Sequence, residues 1–215
     1  MGCRNMTPMK RFLDVLAALI LTTVLFPLIL WLIALILIRE GRPVLYISER
    51  MKTVDRPFGL WKFRTMRNSS TDSGVSGGDK ASRITPTGEF MRKYRLDEIP
   101  QLWNILRGDI SFVGPRPPLR RYVEMFPELY GEVLKARPGI TGLATIAFHQ
   151  HEENLLATCK TPKETERVYV ERCVARKARI DLIYQKRHHL CLDFLLMLKT
   201  VYRRLPLQRH RPPRG

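Results

Sequence analysis

A long apolar segment occupies the N-terminal part of the chain. Phe12–Ile38 runs for 27 residues with a single charge, Asp14. As a helix it would be about 40 Å long, which exceeds the hydrocarbon core of a bilayer, about 30 Å thick. Pro27 lies near the centre, where it removes a backbone hydrogen bond, and basic residues at both ends favour leaving both in the cytoplasm. These features fit a re-entrant helix broken at Pro27 and equally fit a single tilted, kinked span.

The rest of the chain begins with two strand-like stretches and continues with apolar residues at helical spacing. β-like stretches at Val44–Ile47 and Phe58–Phe63 precede a Ser/Gly/Asp-rich segment, residues 68–79, that is typical of a mobile loop. Four helical segments follow: Thr85–Leu106, Tyr122–Leu134, Glu164–His189 and Leu190–Leu205. The last one is amphipathic and fits either a helix in the membrane interface or a C-terminal helix packed on the core. The pattern predicts an α/β fold, mostly α, with a small β element.

These segments divide the chain into three parts. Residues 1–42 form a membrane helix with basic flanks, residues 43–205 form a compact cytosolic domain, and residues 206–215 form a disordered basic tail. The 177 residues after Ile38 are enough for one well-packed domain and too few for two of ordinary size.

Charge and cysteine content restrict the function. The 215 residues include 37 Lys and Arg against 20 Asp and Glu, a net charge of +17. Such an excess is typical of a basic nucleic-acid binder or of a membrane-surface protein that handles anions. The four cysteines form no C-x-x-C pair, which argues against a zinc ribbon or a disulfide framework.

Two adjacent carboxylates, Asp97 and Glu98, are the first candidates for chemistry. Neighbouring residues on a helix diverge by about 100°, so the two groups do not suit a pair that shares a proton or cleaves a glycoside. They do suit a site in which one carboxylate acts as a nucleophile and the other binds a divalent cation. The alternative is a solvated helix surface, as most Asp-Glu pairs are.

Two arginines stand in rigid turns. Arg116 lies between prolines in Gly114–Pro118, and Arg137 precedes Pro138-Gly139. A stiff backbone can aim the planar guanidinium at phosphate oxygens. Either arginine alone also fits a structural loop that faces solvent.

The motifs taken together resemble those of the bacterial sugar transferases, the small monotopic phosphoglycosyl transferases, over residues 9–205. The resemblance rests on the apolar segment with its central proline and on the runs Lys62–Met66, Arg95–Asn104, Gly108–Pro117 and Arg137–Gly142. It implies transfer of a sugar phosphate from a UDP-sugar to polyprenyl (undecaprenyl) phosphate, with release of UMP, at the cytoplasmic face of the bacterial inner membrane. It also favours the re-entrant path at Pro27.

The resemblance also implies roles for individual residues. Asp97 matches the family's nucleophile, which forms a covalent phosphosugar intermediate, and Glu98 matches a glutamate associated with Mg²⁺. Lys62, Arg92, Arg116 and Arg137 are assigned to substrate phosphates. The partners implied are the UDP-sugar, the polyprenyl phosphate and inner-membrane lipids, in a step that begins surface glycan assembly, and we expect no nucleic acid. A membrane-tethered basic adaptor that binds anionic lipid or nucleic acid is the alternative.

Some residues stay ambiguous in the sequence. Asp109 fits a second carboxylate near a metal or a residue that ends a helix, and His149 and His151 fit a metal pair or solvated loop residues. Leu143–Phe148 and Ile180–Tyr184 depart from the commonest family pattern. Because that region is expected to contribute to the sugar pocket, the sequence does not reveal which sugar is transferred.

Overall fold

The computed structural model describes residues 7–67, 83–159 and 161–202. The predicted mobile loop 68–79 and the predicted tail 206–215 lie outside these ranges. In chain order the elements are α1 (Pro8–Glu40), β1 (Leu45–Met51), β2 (Pro57–Phe63), α2 (Pro86–Lys93), a 3-10 turn (Leu96–Glu98), α3 (Gln101–Arg107), β3 (Ser111–Val113), α4 (Arg120–Met125), α5 (Pro127–Val133), β4 (Gly139–Thr141), α6 (Leu143–Ala157), α7 (Pro162–Val168), a π-helical segment (Tyr169–Val174), α8 (Ala175–Arg187) and α9 (Leu190–Tyr202).

Helix α1 is long and apolar enough to cross a membrane by length and composition. Its start is capped by Thr7, whose hydroxyl accepts from the backbone N–H of Lys10 at 3.2 Å. The helix continues through Pro27, so the chain does not leave the helical conformation at this residue, and the bend predicted there stays a prediction. A proline removes only one helical hydrogen bond, and the helix on either side of it remains intact. Whether α1 is re-entrant stays a prediction.

Both ends of α1 contact the rest of the protein. Near the start, the guanidinium of Arg11 donates to the carbonyl of Ile105 at 2.6 Å. At the end, Arg64 donates to the carbonyl of Glu40 at 2.8 Å. Buried side chains between these points, such as Leu32, join cores formed with the strands and with α2 and α3. The buried residues of α1 thus lie towards its two ends, and none lies between Ala18 and Leu32.

Two small sheets organise the remaining chain. β1 and β2 form an antiparallel hairpin, and β3 pairs with β4 in parallel. The turns that follow β3 and precede β4 cross at close range: a Cβ atom on Gly114 would lie 2.2 Å from the carbonyl oxygen of Arg137, and one on Gly139 would lie 2.2 Å from the nitrogen of Gly114. Only glycine permits this approach. The mostly helical α/β class is confirmed.

All four predicted helices differ in detail from the structure. The segment expected at Thr85–Leu106 consists of α2, the 3-10 turn and α3. The segment expected at Tyr122–Leu134 consists of α4 and α5, because Pro127 has no N–H to continue α4 and instead begins a new helix. A π-helical segment separates α7 from α8 in the charged stretch. Helix α9 buries Leu196 and exposes Phe194 and Leu198, so it packs on the core with one face, and its position in a membrane interface stays a prediction.

Candidate active site

The carboxylate pair lies where the chain turns sharply between α2 and α3. Arg95 adopts a left-handed backbone with φ of 58°, which is uncommon for a residue with a side chain and often marks a functional turn. The 3-10 turn follows, and Pro100 precedes α3. This turn buries both side chains, leaving Asp97 7 % and Glu98 9 % exposed. The alternative of a solvated helix surface is therefore wrong.

Glu98 is held by two cations on one of its oxygens. Its Oε1 atom accepts from Lys62 Nζ at 3.4 Å and from Arg95 Nη1 at 3.2 Å. Burial alone would raise the pKa of Glu98, but the charges of Lys62, Arg116 and Arg95 outweigh it and lower the pKa to about 2. Glu98 is therefore ionised at neutral pH, and neither cation occupies Oε2.

Asp97 differs from its neighbour in having an unpartnered oxygen. Its Oδ1 atom is buried and finds no hydrogen-bond partner among the described residues. Burial and the charge of Glu98 raise the pKa of Asp97, while Lys62, Arg95 and Arg92 act in the opposite direction. A buried, poorly solvated carboxylate next to cations is suited to receive an electrophile, because it gives up little solvation when it reacts.

Two openings that share some lining residues lie beside this pair. A cavity of about 960 Å³ is lined on one side by basic residues, namely Arg50, Arg92, Lys93, Arg95 and Arg116. A small cleft is lined by Lys62 and Glu98, together with Arg50 and Arg116, which line both openings. Asp97 itself lines neither opening. The three cations that lower its pKa do line them: Arg92 and Arg95 line the cavity, and Lys62 lines the cleft. Three of the predicted phosphate-binding residues, Lys62, Arg92 and Arg116, are thus brought together around the acid pair.

Arg50 is a basic residue of this site that sequence reasoning missed. It lies on β1 and donates weakly to Ser48 Oγ at 3.3 Å and to the carbonyl of Pro117 at 3.4 Å. Burial and the nearby charge of Arg116 lower its pKa to about 10, so it remains charged at neutral pH. No motif surrounds it, and only its place shortly after the β-like stretch Val44–Ile47 distinguishes it from the many other arginines.

Arg137 and Asp109 lie elsewhere. The Arg137 guanidinium is near Gly108 and Arg11, and it lines neither the cavity nor the cleft. Asp109 is 3.7 Å from Lys52 Nζ and accepts from the side-chain amide of Asn104 at 3.2 Å. Asp109 therefore belongs to a structural network just after α3. This agrees with the second of the two interpretations, a residue that ends a helix.

The histidine pair does not form a metal site. His149 and His151 both lie on α6, where residues two apart point in different directions. His149 contacts Glu153 at 3.4 Å, and His151 contacts Arg176 at 3.1 Å. Among residues 7–67, 83–159 and 161–202, no three His, Cys, Asp or Glu side chains cluster in a way that could hold a metal on their own.

The acid pair nevertheless fits a magnesium ion shared with a substrate. Mg²⁺ is commonly bound through one or two carboxylates plus substrate phosphates rather than by a full set of protein ligands. Asp97 offers an unpartnered oxygen, and Glu98 is ionised with its cations confined to Oε1. The donor set is compatible with Mg²⁺ provided that the phosphates complete the coordination.

Comparison with known proteins places this site in a family. A model of the bacterial sugar transferase family matches residues 5–206. The chain is 33 % identical over 198 residues to the UDP-N-acetylgalactosamine-undecaprenyl-phosphate N-acetylgalactosaminephosphotransferase of Aeromonas hydrophila, covering 89 % of this chain and 42 % of that protein. It is 31 % identical over 199 residues to the UDP-glucose:undecaprenyl-phosphate glucose-1-phosphate transferase of Escherichia coli strain K12, covering 91 % and 40 %.

A third relative is closer to this chain in length. The exopolysaccharide production protein ExoY of Rhizobium meliloti is 34 % identical over 154 residues, covering 64 % of this chain and 68 % of ExoY. The chain thus spans only about two fifths of the two longer relatives. Since the family model matches nearly the whole chain, including the buried acid pair and the basic residues around it, the chain belongs to the bacterial sugar transferase family.

Proposed function

We propose that the chain transfers a sugar 1-phosphate from a UDP-sugar to polyprenyl phosphate, giving a polyprenyl-diphosphate sugar and UMP. The family membership supports a sugar transferase, and the names of the relatives supply the donor and acceptor classes. The observation that carries the proposal is the buried Asp97–Glu98 pair, with one unpartnered carboxylate oxygen, beside a cavity lined by six lysines and arginines.

Binding of the donor is the task of the basic side of the cavity. A UDP-sugar carries its charge on the diphosphate, and Arg50, Arg92, Arg95 and Arg116 present fixed guanidinium groups that match phosphate oxygens. The same charges reduce the repulsion between the diphosphate and the Asp97 carboxylate. Without them, two anions would have to approach in a poorly solvated site.

Asp97 is the nucleophile in the proposed reaction. Its carboxylate oxygen forms a bond to the phosphorus that carries the sugar, the bond from that phosphorus to the bridging oxygen breaks, and UMP leaves with the electron pair. An oxygen of polyprenyl phosphate then attacks the same phosphorus and releases Asp97 as a carboxylate. Two successive displacements allow the soluble donor and the lipid acceptor to use one site in turn.

Glu98 is the proposed protein ligand for Mg²⁺. When bound, the ion would neutralise charge on the diphosphate and polarise the phosphorus that is attacked. Lys62 and Arg95 keep Glu98 ionised and fix its orientation, because both donate to the same oxygen. The low pKa of Glu98 means that this arrangement persists through the neutral range.

The protein is proposed to work on the cytoplasmic face of the bacterial inner membrane with α1 re-entrant. The contacts of Arg11 and Arg64 support this path, because they tie opposite ends of α1 to the same domain. A span would separate these ends by the thickness of the bilayer. Thr22 and Thr23 donate side-chain hydrogen bonds to carbonyls one turn earlier, just before Pro27, and both features favour a bend.

The function is tested by measuring UMP release from a panel of UDP-sugars, with and without undecaprenyl phosphate in detergent micelles. We expect acceptor-dependent turnover with at least one donor and its loss in Asp97→Asn. Asp55→Asn, the same change at an exposed position, is the matched control and is expected to behave as wild type. Turnover that survives in Asp97→Asn would contradict the assigned nucleophile. Steeply salt-dependent binding to nucleic acid without any UMP release would favour the basic adaptor.

The topology is tested separately with single cysteines at Met9 and Arg42 in a chain whose native cysteines are replaced by serine. In sealed vesicles of known orientation, a membrane-impermeant thiol reagent is expected to label both positions from the cytoplasmic side. Labelling of the two positions from opposite sides would show that α1 is a span.

A further inference from the structure

The large cavity has a second polar side, which differs chemically from the basic one. It is formed by residues of α6 and α8, namely Thr145, His149, Gln150, Glu152, Glu153, Lys177 and Asp181. Their side chains carry hydroxyl, amide, imidazole and carboxyl groups, with one lysine. A diphosphate has no reason to prefer this side, because three carboxylates there would repel it.

Asp181 is the exceptional residue of this second side. Its side chain lines the cavity, the residue is only 7 % exposed, and its Oδ1 atom has no hydrogen-bond partner within the described part of the chain. Burial raises the pKa of Asp181 to about 7, against the opposing effects of Lys177 and of the backbone N–H of Ala144. A buried acceptor left without a hydrogen-bond partner destabilises the folded protein. A bound group that donates a hydrogen bond would remove this destabilisation.

The nearest cation is already engaged. Lys177 Nζ donates to Glu152 Oε2 at 2.8 Å, and both side chains are largely buried. Its hydrogen bond goes to Glu152, and Oδ1 of Asp181 finds no partner among the described residues. The charge of Arg116 acts on the pKa values of both Lys177 and Glu98, so Arg116 lies within electrostatic range of the second side and of the acid pair. Arg116 and Asp181 line the same cavity, so a single ligand can contact both.

We infer that Asp181 accepts a hydrogen bond from a hydroxyl group of the nucleotide sugar, while the basic side holds its diphosphate. The inference rests on the proposed function, since it names a further contact to the same donor. Hydroxyl groups are suited because they donate a hydrogen bond without adding negative charge. The cavity, at about 960 Å³, is large enough to hold a ligand of this size. Both the ribose and the transferred sugar carry such hydroxyls, and the test distinguishes them.

The experiment compares wild type with Asp181→Asn for two ligands. The first readout is kcat and KM for the best UDP-sugar, and the second is the inhibition constant of UDP, which lacks the sugar. Losing a hydrogen bond to this buried acceptor raises KM about tenfold. An unchanged inhibition constant for UDP would assign the hydroxyl to the sugar, and an equal rise would assign it to the ribose. Glu171→Gln, an exposed carboxylate that lines neither opening, is the control and keeps wild-type constants.

The purely structural alternative is that Asp181 only caps the start of α6 through the N–H of Ala144. Asparagine retains a carbonyl oxygen that can accept this hydrogen bond, so a capping role predicts wild-type kinetics for Asp181→Asn and overturns the inference. A variant that fails to fold would also overturn it, because the carboxylate would then be needed for the fold itself.

A second measurement uses only the wild-type protein. Donors that lack one hydroxyl at a time, in the ribose or in the sugar, are compared by kcat/KM. At least one is expected to lose about tenfold, and that loss disappears when the comparison is repeated in Asp181→Asn. Uniform values across all deoxy donors in wild type would overturn the inference. If wild type releases no UMP from any donor, the proposed function fails instead, which is a different outcome from wild-type turnover that Asp181→Asn leaves unchanged.

Discussion

Two groups of buried charges in this molecule contain similar residues but differ in role: one is assigned to the reaction and the other holds the fold together. The reaction cluster consists of Lys62, Arg95, Asp97 and Glu98. The anchor network consists of Lys10, Tyr184, Asp193 and the carbonyl of Val113, and it joins the start of α1 to β3, α8 and α9. Lys10 Nζ contacts Asp193 Oδ2 at 2.6 Å, the Val113 carbonyl at 3.0 Å and the Tyr184 hydroxyl at 3.1 Å.

The difference lies in hydrogen-bond satisfaction. In the anchor network all three ammonium protons of Lys10 have acceptors, and Tyr184 donates to the second oxygen of Asp193 at 2.6 Å. In the reaction cluster Asp97 Oδ1 finds no partner among the described residues. A satisfied buried network stabilises one arrangement, whereas an unsatisfied group beside a cavity has unused capacity for a ligand. Buried charge alone therefore does not indicate a functional site.

The largest expected effect tests the reaction cluster. Asp97→Asn removes the nucleophile and should reduce kcat by at least about 1000-fold. Because the change also removes repulsion between Asp97 and Glu98, which raises the pKa of Asp97 in the native protein, the melting temperature should not fall. Steady-state UMP release and thermal unfolding in detergent measure both quantities. A clear loss of thermal stability would mean that Asp97 supports the fold as the anchor network does.

The reverse effect, a loss of stability, is expected for the anchor network. Lys10→Met leaves the carboxylate of Asp193 buried without its cation, which should lower the free energy of unfolding by about 3–5 kcal/mol. Chemical denaturation in micelles provides the measurement. Combining Lys10→Met with Asp193→Leu removes both charges and should recover much of the loss, so strictly additive single effects would contradict this interpretation.

A smaller effect is expected at the basic side of the cavity. Arg116→Lys keeps the charge but removes the planar pair of donors, and kcat/KM should fall about tenfold or more. Arg120→Lys is the matched control, because Arg120 is exposed and pairs with Glu49 on the surface. Equal effects of the two substitutions would show that Arg116 acts only through general surface charge.

The smallest effect concerns the pH dependence of stability. The folded-state pKa of Asp181, about 7, lies above the ordinary value near 4. The native state therefore holds this proton more tightly than the unfolded state, and stability is lost as pH rises from about 4 to about 7. Asp181→Asn should flatten this part of the profile and be at least as stable as wild type at pH 8. An unchanged slope would mean that Asp181 does not titrate in this range.

The sequence predicts the reaction cluster better than the anchor network for a physical reason. Asp97 and Glu98 are adjacent, and the rigid Gly114–Pro118 turn indicates an aimed arginine, so the signals are local. The structure brings them together with Lys62. Lys10 and Asp193 are separated by 183 residues, and no local pattern indicates that two such charges meet. Only tertiary packing brings them into contact.

Failures of prediction have the same origin. Arg137 has the local features of Arg116, yet the crossing at Gly114 and Gly139 directs its turn towards Gly108 and Arg11. Arg50 has no local features, yet the β1–β2 hairpin brings it to the cavity. Pro27 has the local features of a helix break, yet α1 remains helical on both sides of it.

The central claim is that Asp97 forms a bond to the phosphosugar, and intact mass spectrometry of the protein with donor alone tests it most directly. Incubation with an active UDP-sugar and no acceptor should add the mass of one sugar phosphate, and peptide mapping should place it on Asp97. Addition of undecaprenyl phosphate should remove the adduct, and Asp97→Asn should never acquire it. An adduct that persists in Asp97→Asn, or acceptor-dependent turnover without any adduct under rapid quenching, would contradict the account.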